Sequence, residues 1–132
     1  MKAYGTLIYN PSSHLGTNQQ WAVLMCDDEI SRYYRHLFSL TYQALNGEPT
    51  GKLARPVWGA HISCIRGEQT NHLPWRLKER QIFEFDYQFG VQSNREYYWL
   101  SVSCPALSEL RLAYGLSPEP RFGFHLTIGR TA

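Results

Sequence analysis

The chain has 132 residues, 43% of them hydrophobic, which suits one folded domain and is too apolar for a disordered segment. Its formal net charge is +2, so it lacks the basic excess of a protein that tracks a long nucleic acid. No apolar run approaches the roughly 18 residues of a membrane span, and Met1-Lys2-Ala3-Tyr4-Gly5 carries no secretory apolar stretch, so the expected location is cytoplasmic.

Residues 4–9 read as a first strand, and residues 10–20, rich in Asn, Ser, Gly and Pro, as a loop. Residues 21–26 form a short apolar strand. Asp27 or Asp28 then suits a helix N-cap, and Ile30, Tyr33, Tyr34, Leu37, Phe38, Thr41 and Leu45 recur at helical spacing. The spacing predicts a helix over 28–46, ended by Gly47 and Pro49, with that stripe in the core. Residues 56–65 read as a strand, and 66–80 as polar and irregular. Alternation over 81–90 and 95–104, with Gln92-Ser93-Asn94 as the turn, predicts an antiparallel hairpin. Leu107, Leu110 and Tyr114 mark a short helix over 105–114, and 122–128 is the last strand. Hairpins mixed with two helices imply an α+β fold, and no linker divides 1–132 into separate domains. Cys26, Cys64 and Cys104 are odd in number, lack CxxC spacing and sit in apolar runs, as buried reduced thiols do.

Two strands look alike. Trp58-Gly59-Ala60-His61-Ile62-Ser63 and Phe122-Gly123-Phe124-His125-Leu126-Thr127 both read aromatic-Gly-x-His-aliphatic-(Ser/Thr), one in each half of the chain. Strict alternation puts Trp58, Ala60, Ile62 and Cys64 on one face, and Gly59, His61 and Ser63 on the other. In the second copy Phe122, Phe124, Leu126 and Ile128 oppose Gly123, His125, Thr127 and Gly129. Each strand thus turns an apolar face to a core, and shows a glycine, an imidazole and a hydroxyl on a face with room for a ligand.

Those residue types suit phosphodiester cleavage. Imidazole, with an unperturbed pKa of about 6.5, takes or gives a proton near neutrality. The reaction needs one proton taken from the attacking hydroxyl and one given to the leaving oxygen. Hydroxyls beside the histidines can donate to the non-bridging oxygens as charge grows there. The expected catalytic set is His61, Ser63, His125 and Thr127, with no metal and no cofactor. A zinc site of His61, Cys64 and His125 is disfavoured, because His61 and Cys64 face opposite ways on a regular strand.

At these residues the chain resembles the 2H phosphoesterase superfamily, named for its two His-x-(Ser/Thr) motifs, here His61-Ile62-Ser63 and His125-Leu126-Thr127. The resemblance implies a bilobal fold, two small antiparallel sheets with a central cleft flanked by two main helices. It implies action on cyclic oligonucleotides, RNA ends, 2′,3′-cyclic phosphates or 2′-5′ oligoadenylates. The short length is similar to phage-encoded members that degrade the cyclic oligonucleotide signals of CBASS defence, which would act in a host cytoplasm. The expected partner is therefore a small anionic nucleotide, or alternatively an RNA end. A nucleotide-sequestering protein is a further alternative, although a pure binder does not need an acid-base pair.

Around the site, Arg66 and Arg130 follow the motifs and are candidates to bind the phosphate; strict alternation turns each away from its histidine, so they reach it only where the strand ends there. Tyr9, at a strand end, and Trp75, between Pro74 and Arg76 in a stretch able to form a lid, are candidates to stack a base; Trp58 is assigned to the core. His14, His36 and His72 have no hydroxyl two residues on and read as surface or structural.

Overall fold

The computed structural model describes residues 1–11, 20–46, 53–55, 59–94 and 96–131, without the side chains of 41–46 and 131. Trp58, His14, the helix stop at Gly47 and Pro49, and most of the loop over 10–20 lie outside the described residues.

The elements are β1 (Lys2–Tyr9), β2 (Trp21–Cys26), α1 (Asp28–Asn46), β3 (Leu53–Ala54), β4 (His61–Arg66), β5 (Ile82–Ser93), β6 (Tyr97–Ser103), α2 (Pro105–Ala113) and β7 (Phe124–Thr131). All strand pairings are antiparallel. The fold is a small α+β domain, but not two separate sheets. The order is β3-β7-β4-β2-β1-β5-β6, and β6 pairs again with β7, so six strands close on themselves. Closure leaves those six without a free edge, which a two-sheet arrangement would not.

The ring consists of two like halves. β1-β2-α1-β4 and β5-β6-α2-β7 each run hairpin, helix, motif strand, and they join at β1–β5 and β4–β7. Each helix lies over the motif strand of the other half, α1 on β7 and α2 on β4. Asp27 caps α1, its carboxylate accepting the Glu29 N–H at 3.0 Å. The sheet side of α1 is narrower than the expected stripe: Tyr34 is buried against Tyr87 and Phe38 packs on Tyr98, while Tyr33 is 61% and Leu37 42% exposed. A helix resting on one sheet covers only the positions that face it.

The core lies between the helices and one face of the sheet. It takes Leu7, Leu24, Ile62, Phe85, Leu100 and Leu126 from the strands, and Leu107, Leu110 and Tyr114 from α2. The cysteines are free thiols, Cys64 and Cys104 buried and Cys26 half-buried; burial pushes the Cys64 and Cys26 thiols up to about 12. Among the described residues no helix is long and apolar enough to cross a membrane.

Candidate active site

The two motif strands meet across the join of the halves. Their register, Ile62↔Leu126, is antiparallel, so it sets Ser63 opposite His125 and Thr127 opposite His61. Directly opposed residues have Cβ atoms about 5 Å apart. The four side chains therefore form a square, histidines on one diagonal and hydroxyls on the other. Each hydroxyl neighbours the histidine of the opposite strand. All four are half-buried, while Ile62 and Leu126 between them point to the core.

The glycines do not line this face. β4 begins at His61 and β7 at Phe124, and Gly59 and Gly123 lie in the turns before them, both at φ 72°. That left-handed backbone favours glycine. It turns each glycine carbonyl onto the histidine two residues on: His61 Nδ1 donates to Gly59 O at 2.9 Å and His125 Nδ1 to Gly123 O at 3.3 Å. A carbonyl only accepts, so Nδ1 carries the proton and Nε2 is the nitrogen left for acid-base work. Phe122, expected in the core, precedes the strand and is 80% exposed.

The alternation also breaks after each motif. Between β2 and β4 the register passes from Val23↔Ser63 to Ala22↔Ile65, leaving Cys64 as an extra residue. Between β6 and β7 it passes from Trp99↔Thr127 to Tyr98↔Gly129, leaving Ile128 extra. These are β-bulges at matching positions. At each, two successive residues are buried, Cys64 with Ile65 and Ile128 with Gly129. Every later side chain changes face. Arg66 and Arg130 are thereby turned back to the histidine side, correcting the regular alternation expected for them. Gly129 moves the other way, into close packing: a Cβ there would lie 2.7 Å from Leu53 Cβ. Helix arginines hold both bulges. Arg111 of α2 donates to Cys64 O at 2.7 Å, and Arg35 of α1 to Ile128 O at 2.8 Å.

Electrostatics agree with this placement. Burial holds His61 below the ordinary histidine range; the Gly59 carbonyl opposes the shift, and the charges of His125 and Arg66 add to it. Burial also lowers His125, opposed by the Gly123 carbonyl and reinforced by Arg66. One guanidinium thus acts on both histidines. Arg66 is exposed and sits over its cross-strand neighbour Trp21, 5.7 Å from the ring centroid. Arg130 is exposed, opposite Tyr97.

The aromatics expected at the site lie elsewhere. Tyr9 is 3% exposed on the core face, its hydroxyl donating to Leu77 O at 2.6 Å. Trp75 packs edge-on to Tyr9 at 4.7 Å and against Tyr114 at 5.2 Å. It closes the core beneath the loop after β4 and does not form a lid over the histidines. A different tryptophan flanks them. Trp99 of β6 is paired with Thr127, half-buried, and 6.1 Å from the His125 ring. Alternation within β6 groups Tyr97, Trp99 and Ser101, but only the β6–β7 closure brings that group to the histidines. Cys64 lies on the core face, its thiol near Leu107 O. His36 and His72 are exposed.

A closed antiparallel sheet that brings together two carbonyl-held histidines and two opposed hydroxyls suits two-histidine acid-base chemistry on a phosphoester. The chain belongs to the 2H phosphoesterase family: the model described as "Swiss Army Knife, 2H phosphoesterase domain" matches residues 24–132. Membership implies a phosphodiesterase. No curated protein and no solved structure matches the chain.

Proposed function

We propose that the chain is a metal-independent nucleotide phosphodiesterase that opens cyclic oligonucleotides, with His61 and His125 as its acid-base pair. The observation that carries this reading is the square of His61, Thr127, His125 and Ser63 about the Ile62↔Leu126 register. A phosphate centred on it meets an imidazole on two sides and a hydroxyl on the other two. A ribose 2′-hydroxyl attacks the adjacent phosphorus while one Nε2 takes its proton. The other imidazolium gives a proton to the departing 5′-oxygen as the P–O bond breaks. The products are a 2′,3′-cyclic phosphate and a free 5′-hydroxyl. Ser63, Thr127 and Arg66 offer donors and charge to the non-bridging oxygens, where negative charge grows. Arg130 continues the same face.

Trp99 supports a nucleotide over other phosphodiesters, since a half-buried indole beside Thr127 offers a stacking face to a base. A net charge of only +2 supports a small substrate over a long RNA. A cyclic oligonucleotide fits both features, and destroying such a signal is the anti-CBASS role suggested by the resemblance to small phage members.

The test is incubation in EDTA with cyclic di- and trinucleotides, 2′-5′ oligoadenylates, 2′,3′-cyclic nucleotides and RNA ends, with products identified by mass. The expected result is linear product from a cyclic oligonucleotide. His61→Ala and His125→Ala each lose about 10²-fold or more in kcat with the fold retained. Trp99→Ala raises KM by about 5- to 100-fold, as expected from about 1–3 kcal/mol per stacked base. Cleavage of RNA ends alone would replace the cyclic substrate. Wild-type rates in either histidine variant would end the acid-base assignment.

A further inference from the structure

The first residue of α1, Asp28, makes its side-chain hydrogen bonds outside its own helix. Asp27 caps that helix, and the Asp28 carboxylate turns away from it. One Asp28 oxygen accepts the Ala60 N–H at 2.7 Å, and the other accepts the Arg55 guanidinium at 2.6 Å. Ala60 is held from its far side as well, its carbonyl accepting the Cys26 N–H at 2.9 Å. Gly59 sits between these contacts. A Cβ on Gly59 would fall 2.6 Å from Asp28 Oδ1 and 3.3 Å from Arg55 Nη2, so the carboxylate occupies the space that glycine leaves. The carbonyl of this clamped glycine is the one that receives the His61 Nδ1 proton at 2.9 Å.

The matching turn is built differently. Gly123 has the same φ of 72°, but a Cβ there would meet nothing within 4 Å. Its turn is closed by a backbone bond, Gly123 N–H to Pro120 O at 2.9 Å, and its bond to His125 is longer, at 3.3 Å. The near-symmetry of the site stops at this turn.

We propose that Asp28, backed by Arg55, is a positioning residue for His61: it fixes the Gly59 carbonyl, and through it the ring tautomer and orientation that aim Nε2 at the phosphate. A charge-assisted contact to a backbone N–H is stronger than a neutral one, and outer partners of this kind hold an imidazole in one tautomer. His125 has no counterpart to this clamp among the described residues. The two histidines are thus held unequally: among the described residues a charged clamp fixes the turn before His61, and a backbone hydrogen bond closes the turn before His125. The inference rests on the reading of His61 as catalytic, but its test does not need a substrate.

The experiment follows the ring nitrogens of both histidines by ¹⁵N NMR in the wild type, Asp28→Ala, Asp28→Asn and Arg55→Gln. Asp28→Ala is expected to move His61 from the Nδ1–H form to a mixture of tautomers, with His125 unchanged. Asp28→Asn, which keeps an acceptor for Ala60 N–H, is expected to restore most of the Nδ1–H form. Arg55→Gln changes an exposed side chain and is expected to loosen His61 partially, which keeps the test open should Asp28→Ala fail to fold. On a cleaved substrate, Asp28→Ala is expected to lose about tenfold in kcat with KM nearly unchanged. An unaltered His61 tautomer in every folded variant overturns the proposal. Absence of cleavage with a shifted tautomer keeps the clamp and removes the catalytic reading, so the two failures are distinguishable.

Discussion

Arg66 shows most directly how a single residue tunes this site. Its charge lowers both histidines, on top of burial, and raises neither. A bell-shaped kcat/KM profile reports the acid and base of the free enzyme. With both lowered, the optimum is expected on the acid side of about pH 6.5. Arg66→Ala removes the shared positive charge, so both limbs should move to higher pH while kcat/KM falls through loss of the phosphate contact proposed for it. An unchanged profile would mean that the guanidinium does not reach the histidines in solution. The histidines themselves were legible from sequence, because a His-x-(Ser/Thr) pattern repeated in two apolar strands is a local signal. The side taken by Arg66 was not. An extra residue at Cys64 inverts every position after it, and nothing in Ser63-Cys64-Ile65-Arg66 announces a bulge.

At the scale of elements, the bulges and the arginines under them form one device. A bulge leaves a carbonyl outside the ladder, and a buried carbonyl without a donor is costly. Arg111 supplies that donor to Cys64 while pairing with Glu68 through two contacts of 2.7 and 2.8 Å and donating to Ser117 O at 2.7 Å. Only 1% of its side chain is exposed. Arg111→Ala strands the Cys64 and Ser117 carbonyls and the Glu68 carboxylate together, and should cost about 3 kcal/mol, measured by denaturant unfolding. A loss below about 0.5 kcal/mol would show that water replaces the guanidinium freely. Element boundaries followed the sequence closely where the pattern is local: α1 spans 28–46 as its spacing predicts, and β2 spans 21–26. Trp99 was missed because its place beside His125 depends on β6 pairing with β7, two strands separated in sequence by all of α2. Tyr9 and Trp75 fall on the core for a related reason: an aromatic at a strand end or in a polar loop reads the same whether it meets a core or a cleft.

Across the whole molecule, the buried histidines tie stability to pH. Their lowered values mean that, between those values and about 6.5, the unfolded chain binds more protons than the folded one. Stability is therefore full above about pH 6.5 and declines as pH falls through the lowered range. Urea midpoints taken across that window should drop, and the drop should shrink in a His61→Ala/His125→Ala double variant. A slope that persists unchanged would assign the effect to other groups.

The crossing of the helices has a broader consequence. Each half covers its neighbour's motif strand with its helix and leaves its own to the neighbour. The two halves thus depend on each other's helix to cover their motif strands, although α2 also rests on β5 of its own half. Neither unit is complete in isolation, in its packing or in its chemistry, since each owns one histidine. A cut after His72, in the exposed segment joining the units, should give two fragments that neither melt cooperatively nor cleave substrate alone. Mixed, they should recover both properties together, because the contacts that bury the core also assemble the square of residues proposed to be catalytic.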